Sequence, residues 1–254
     1  VVLGWDSSDV CYEDVAFTGW HSGYPDANVQ LDLSTARTIP WEDEVPFVLG
    51  EFVDAVGNPL PQCPRQTLKR VVEYGKKLGY EAKFGVEFEW FNFKETPESL
   101  QEKGFCGMTP ITPGMFGYSL LRPSQNQAFF DDLMLQLDAF GVPVEGLHPE
   151  TGPGVLEAAI LNADPVTSAD RAVLFKTATK QLGYRHGIMP TFMAKWNAEL
   201  PGCSGHLHQS LSKDGTPVFH DSKSLHGMSE VFESYLAGQL LLLPDILHLP
   251  VFFE

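Results

Sequence analysis

The chain has 254 residues, with 17 Lys+Arg against 33 Asp+Glu, a formal net charge of −16 and a 43% hydrophobic composition. A cation deficit of this size argues against a nucleic-acid phosphate binder and a polybasic membrane anchor, because both need Lys and Arg in excess. No stretch approaches the roughly 18 apolar residues of a membrane span, so a soluble, cytoplasmic protein without nucleic-acid or membrane partners is expected.

Cys11, Cys63, Cys106 and Cys203 lie far apart with no CxxC pair, so reduced thiols are expected rather than a zinc ribbon or a redox motif. The chain opens on Val1-Val2-Leu3 and closes on Pro250-Val251-Phe252-Phe253-Glu254. Without an initiator Met, a signal peptide or a polar tail, it reads as an internal portion of a longer polypeptide.

Up to about residue 61 the chain consists of short apolar stretches broken by Gly, Pro and Asp, such as 27–31 and 46–52, which read as strands. A helix is predicted over 67–77, with Leu68, Val71 and Val72 on one stripe and a glycine stop at Gly79. Strand and helix signals then alternate. Strands are predicted over 81–93, 155–161, 188–194 and 205–211, and helices over 125–140, 165–184 and 228–243, the last stopping before Pro244. The result is an α+β chain in two parts, 1–61 and 62–254, without internal repeats.

The most informative segment is Lys83-Phe84-Gly85-Val86-Glu87-Phe88-Glu89-Trp90-Phe91-Asn92-Phe93. Side chains alternate along a strand, so Phe84, Val86, Phe88 and Trp90 take one face while Glu87 and Glu89 share the other. Such a pair repels among aromatics unless one carboxyl keeps a proton or a cation sits between them; a solvated strand face carries the same pattern. Glu150 and Glu157 flank Thr151-Gly152-Pro153-Gly154, a turn able to bring both back to one site. After a Gly/Ser turn, His206, His208 and Ser210 alternate onto one strand face, as surface histidines and ligand sets both do. Oxygen donors in the majority with one or two imidazoles suit Mg²⁺ or Mn²⁺ better than Zn²⁺, and these ions commonly neutralise transferring phosphates. His186 reads as a helix C-terminal residue favoured by the dipole, and His220, His226 and His248 as surface residues.

At these segments the chain resembles the glutamine synthetase family, the glutamate–ammonia ligases. Glu87-Phe88-Glu89 matches its Glu-x-Glu strand, His148 to Glu157 its His-x-Glu…Pro-Gly-x-x-Glu signature, and His206 to Leu211 its His-x-His-x-Ser-Leu. Trp5-Asp6-Ser7-Ser8, Asp32-Leu33-Ser34-Thr35, Pro64-Arg65 and Ala194-Lys195 extend the similarity over essentially the whole chain. The resemblance implies a partial N-terminal β-grasp-like domain over 1–61. A catalytic domain over 62–254 would follow, with a curved antiparallel sheet backed by helices and its C-terminal part missing.

The implied activity is an ATP-dependent ligase that forms a γ-glutamyl amide from glutamate and ammonia or an amine, through γ-glutamyl phosphate. By resemblance, Glu89, Glu150 and Glu157 would hold one Mg²⁺ or Mn²⁺, and Glu87 with His206 a second. His208 and Ser210 would contact the nucleotide, Gly202 would lie in the loop under glutamate, and Asp6 would be the catalytic base in a neighbouring subunit's site. Members assemble as two stacked rings, commonly dodecamers, so a homo-oligomer is implied. Relatives that use polyamines, methylamine or ethanolamine share the frame, as does lengsin, a structural branch without catalysis; the motifs fit each of these. Val155, Leu161-Asn162-Ala163 and Pro201 depart from the family pattern near the nucleotide and the amino acid.

Overall fold

The computed structural model describes residues 10–12, 15 and 18–247. The chain forms two compact units, residues 1–74 and 75–254.

In the first unit, β1 (Asn28–Ile39) and β2 (Val45–Val53) pair antiparallel. Their register shifts between Asp32 and Arg37. There the Thr35 hydroxyl donates to the Asp32 carbonyl and accepts from the Leu49 N–H, so the interrupted ladder keeps its bonds. Helix α1 (Pro64–Lys77) buries no residue. It is tied to the ribbon by charge: Arg65 and Lys69 reach Asp32 at 2.8 and 3.3 Å and also pair with the buried Glu51. Hydrogen bonds from Ser34 first, and then Arg65, hold the Asp32 carboxyl well below the usual carboxylate range.

The second unit is a six-stranded antiparallel sheet with helices against it. Its elements are β3 (Glu81–Phe93), α2 (Pro97–Glu102), α3 (Leu121–Gln125), α4 (Gln127–Ala139), β4 (Val144–Pro149), β5 (Val155–Ala163) and α5 (Pro165–Arg185). They continue as β6 (Met189–Thr191), β7 (Gly205–Lys213), β8 (Thr216–Pro217) and α6 (Glu230–Leu247). The strand order is β4-β5-β3-β7-β8, with β6 paired to the end of β3. This is the α+β architecture with an antiparallel sheet that the sequence implies.

Strand β3 is central because its even and odd residues both find apolar partners toward its C-terminal end. On one face Phe88 stacks on Phe175 with 5.7 Å between ring centroids, and Trp90 meets the same ring edge-on at 5.4 Å. On the other face Phe91 and Phe93 pack against Trp196. Phe175 comes from α5, whose Leu174, Phe175, Ala178 and Leu182 form the buried stripe. Asp164 caps α5 by accepting from the Val166 and Thr167 N–H groups, and Pro165 takes the first helical position, where a missing N–H does no harm.

Several sequence expectations need correction. The strand predicted over 188–194 is confined to Met189–Thr191, and the helix predicted from 125 begins at Gln127 after the separate short α3. Pro244 does not end the last helix, which continues to Leu247; proline's fixed φ is a helical value, and the chain keeps its helical course past the lost main-chain bond. Strand β4 was not predicted, because Gly146 and Pro149 weaken its signal. His186 is the C-cap of α5, as expected, but its Nε2 also lies 2.8 Å from Asp132 Oδ2 on α4. All four cysteines are free, and no helix among the described residues is long and apolar enough to cross a membrane.

Candidate active site

The sheet register brings the chemistry together. On β3, Glu87 stands opposite His206 of β7, and Glu89 stands opposite Glu157 of β5; Glu157 in turn stands opposite His148 of β4. Paired residues share a face, so four strands contribute to one row of carboxylates and imidazoles. The expected alternation on β3 holds, with Phe88 and Trp90 packed toward α5 on the opposite face.

Within this row, ligand atoms of Glu87, Glu157 and His206 lie within 4.8 Å of one another, as do those of His148, Glu150 and Glu157. The grouping differs from the one the resemblance implies, because Glu157 belongs to both sets and His148 joins the second. Glu89 lies outside both close groups. One of its oxygens accepts from the Ser204 N–H and the other from the Ser204 hydroxyl, each at 3.0 Å. Glu87 is flanked by two imidazoles, His206 Nδ1 at 3.2 Å and His208 Nε2 at 3.1 Å.

The electrostatics mark the centre of the row. Burial pushes the Glu157 carboxyl up; His148 opposes this, while the charges of Glu89, Glu87 and Glu150 add to it. Burial also disfavours the charge on Glu150, but bonds from the Thr151 hydroxyl and N–H, both 2.8 Å, outweigh it and hold that carboxyl low. Those bonds occupy only Oε1. Glu150 Oε2 is buried, and the Tyr118 hydroxyl that approaches the carboxyl makes no hydrogen bond of ordinary geometry to it. An anionic oxygen out of contact with water, beside a second carboxylate and an imidazole, has the chemistry of an open ligand position for a hard divalent cation. The donor set therefore fits Mg²⁺ or Mn²⁺.

Beside the row lies a cavity of about 410 Å³ lined by Lys83, Gly85, Glu145, Asn162, His208 and Ser210 among others. His208 and Ser210 are thus together, opposite Gly85 and Lys83 in the β3–β7 register. Gly202 sits where a Cβ would come 2.6 Å from the Ala194 carbonyl, so only glycine allows the loop before β7 to pass so close. Asp6 lies outside the described residues, as does the Trp5-Asp6-Ser7-Ser8 segment.

Sequence reasoning gave no role to His148, Glu145 or Tyr118, and named Asn162 only within a departure from the family pattern near the nucleotide. His148 was read only as part of a motif. Glu145 reaches the cavity because the β4–β5 register shifts between Val144 and Gly146, and Asn162 follows a shift between Phe84 and Val86 on the β3–β5 side. No periodicity announces a bulge. Tyr118 takes a left-handed φ of 57°, stacks on His148 and places its hydroxyl against Glu150, which together with that carboxylate's charge raises its own pKa. Cys203, beside Ser204, is pushed up to about 12 by burial and the nearby Glu89 charge, which leaves it a thiol rather than a nucleophile.

The model of the glutamine synthetase catalytic domain matches residues 61–250. The chain belongs to the glutamine synthetase family. It is 52% identical over 249 residues to type-1 glutamine synthetase 2 of Dictyostelium discoideum, covering 97% of this chain and 48% of that protein. It is 34% identical to a glutamate–isopropylamine ligase of a Pseudomonas species, covering 95% of this chain and 53% of the relative. A solved glutamine synthase homologue superposes with a TM-score of 0.77 at 24% identity, over 91% of this chain and 52% of that one. The ADP complex of GmaS gives a TM-score of 0.73 at 25% identity, over 85% and 48%. The chain thus spans about half the length of the glutamine synthetase relatives it matches.

Proposed function

We propose that this chain supplies the cation and nucleotide sites of an ATP-dependent ligase that joins the γ-carboxylate of glutamate to ammonia or a small amine. One observation carries the reading: the register of β4, β5, β3 and β7 aligns His148, Glu157, Glu89, Glu87 and His206 on one sheet face, with the Glu157 carboxyl raised by burial first and then by the charges of Glu89, Glu87 and Glu150. The charge on Glu157 is disfavoured where it stands, and a positive occupant of the row would relieve that cost.

A carboxylate is a poor electrophile and must first accept a phosphoryl group, giving an acyl phosphate that an amine can attack. Divalent cations held by Glu87, Glu89, His148, Glu150, Glu157 and His206 would offset the negative charge that gathers during that transfer. The cavity beside them suits a nucleotide: Ser210 offers a hydroxyl and His208 an imidazole to phosphate oxygens, while Glu145 and Asn162 offer polar groups to its remainder. Gly202 belongs to the loop assigned to glutamate, and Asp6 is assigned as the base that takes a proton from the incoming ammonium. Assembly into two stacked rings is part of the same reading, as is a catalytic part that begins near residue 62.

A small organic amine is a second reading, because relatives at 34%, 30% and 32% identity are named as a glutamate–isopropylamine ligase, a γ-glutamylethanolamide synthetase and a γ-glutamylanilide synthase. The test is phosphate release from ATP by the full-length protein with glutamate, screened over ammonia, methylamine, ethanolamine, isopropylamine and putrescine. Amine-dependent release is expected, lowered by roughly two orders of magnitude or more in Glu157→Gln. Intact Mn²⁺ binding with no release for any amine would overturn the ligase reading in favour of a structural assembly protein.

A further inference from the structure

Asn92 is a polar side chain with 0% exposure, set among Trp90, Phe91 and Phe93, which are equally inaccessible. An apolar residue would fill this position without the desolvation penalty of an amide, so what Asn supplies is directional bonding. Its Nδ2 donates to the Gly154 carbonyl at 3.0 Å, and its own backbone N–H donates to the same oxygen at 3.0 Å. Its Oδ1 accepts from the Trp90 indole at 2.9 Å, and its backbone carbonyl accepts from Ile111 N–H at 3.0 Å.

Gly154 closes the turn between Glu150 and Glu157. It has a φ of 72°, and a Cβ there would lie 2.5 Å from the Asn92 carbonyl oxygen, so the turn is seated flush on β3 at this residue. The β3–β5 ladder begins at the next residue, with Phe91 opposite Val155, and Glu157 follows two positions later on the same face. Glu150 is fixed from the same place, since its N–H donates to the Val155 carbonyl at 3.0 Å. A slip of one residue would send Glu157 to the helix-covered face.

We infer that Asn92 is a positioning residue for the cation site: by clamping Gly154 with both its side-chain and main-chain donors, it sets where Glu150 and Glu157 stand relative to Glu87. The inference rests on the cation-binding part of the proposed function. Asn92 touches no ligand atom, and its influence passes through the turn. Groups that bond a metal's ligands directly commonly change metal affinity about 10–100-fold, and the lower end of that range sets the scale for a residue acting through the turn.

The experiment measures Mn²⁺ affinity of the full-length protein by calorimetry for wild type, Asn92→Leu, Asn92→Ser, Glu157→Gln and the Asn92→Leu/Glu157→Gln pair. Amide exchange at residues 155–157 is followed alongside in metal-free protein, and each affinity is read at a temperature where circular dichroism reports a folded chain. Affinity at least about 10-fold weaker is expected in both Asn92 variants, with faster exchange at 155–157 and a smaller further loss, the part that passes through Glu150, when Asn92→Leu is added to Glu157→Gln. If Asn92→Leu does not fold, Asn92→Ser carries the comparison, including its pairing with Glu157→Gln. Wild-type affinity in the folded variants, or the same fold-loss with and without Glu157→Gln, overturns the positioning role alone. A wild-type protein that binds no Mn²⁺ overturns the cation reading and this inference with it.

Discussion

Glu157 is the residue on which both groups of candidate ligands converge, and its environment gives it a pH signature. Its carboxyl titrates above the usual value, so between the unfolded and folded pKa values the native state holds more protons than the unfolded one. Stability contributed by this group is therefore present below the ordinary glutamate pKa and lost as pH rises through the raised value. Glu150, Asp132 and Asp164 are shifted the opposite way and lose stability as pH falls, so the Glu157 effect must be isolated by difference. In metal-free protein, Glu157→Gln is expected to gain stability relative to wild type as pH rises from about 4 to 7. Urea melts across that range measure it, and a constant difference would contradict the assignment of Glu157 as the strained member of the row. Saturating Mn²⁺ should reverse the order, since at one hundred times Kd a ligand stabilises the wild type by about 2.7 kcal/mol and the variant has lost a ligand shared by both groups.

At the level of elements, the row is only as straight as β3, and β3 is held by α5. Phe175 is fully buried between Phe88, Trp90 and Phe192. Phe175→Ala should lower stability by about 3–5 kcal/mol, measured by urea denaturation. Asp164→Ala removes the acceptor for two N–H groups at the start of the same helix and should remove about 1 kcal/mol. The two elements in this contact were legible in sequence: apolar residues alternate from Ala82 to Trp90, and 165–184 carries a helical signal of about the observed length. Glu87, His206, Glu150 and Glu157 were legible for the same reason, or because glycine-rich turns flank them. What stayed hidden depends on pairing rather than on local pattern. Glu145 and Asn162 reach the cavity through register shifts, Tyr118 through a left-handed backbone, and the bonding of Glu89 to Ser204 through residues 115 positions apart.

Over the whole molecule, the two units are stabilised by different means. The first is pinned by Arg65 and Lys69 against Asp32 and Glu51, a cluster whose charges already balance one another. The second carries carboxylates in excess of nearby cations on one sheet face, against an overall net charge of −16. A divalent cation should therefore act unequally on them. In the first unit every carboxylate of the cluster is matched, so added Mn²⁺ gains little there. In the second it would relieve the repulsion that Glu89, Glu87 and Glu150 exert on Glu157 and would link β3, β4, β5 and β7, which are distant in sequence. Hydrogen exchange followed by mass spectrometry, with and without saturating Mn²⁺, is the direct measurement. Slower exchange is expected across residues 81–93, 144–163 and 205–213, with 28–53 unchanged. Equal protection in both units would mean that the ion acts by screening the overall charge, and the row of β3, β4, β5 and β7 would then have no special claim as its site.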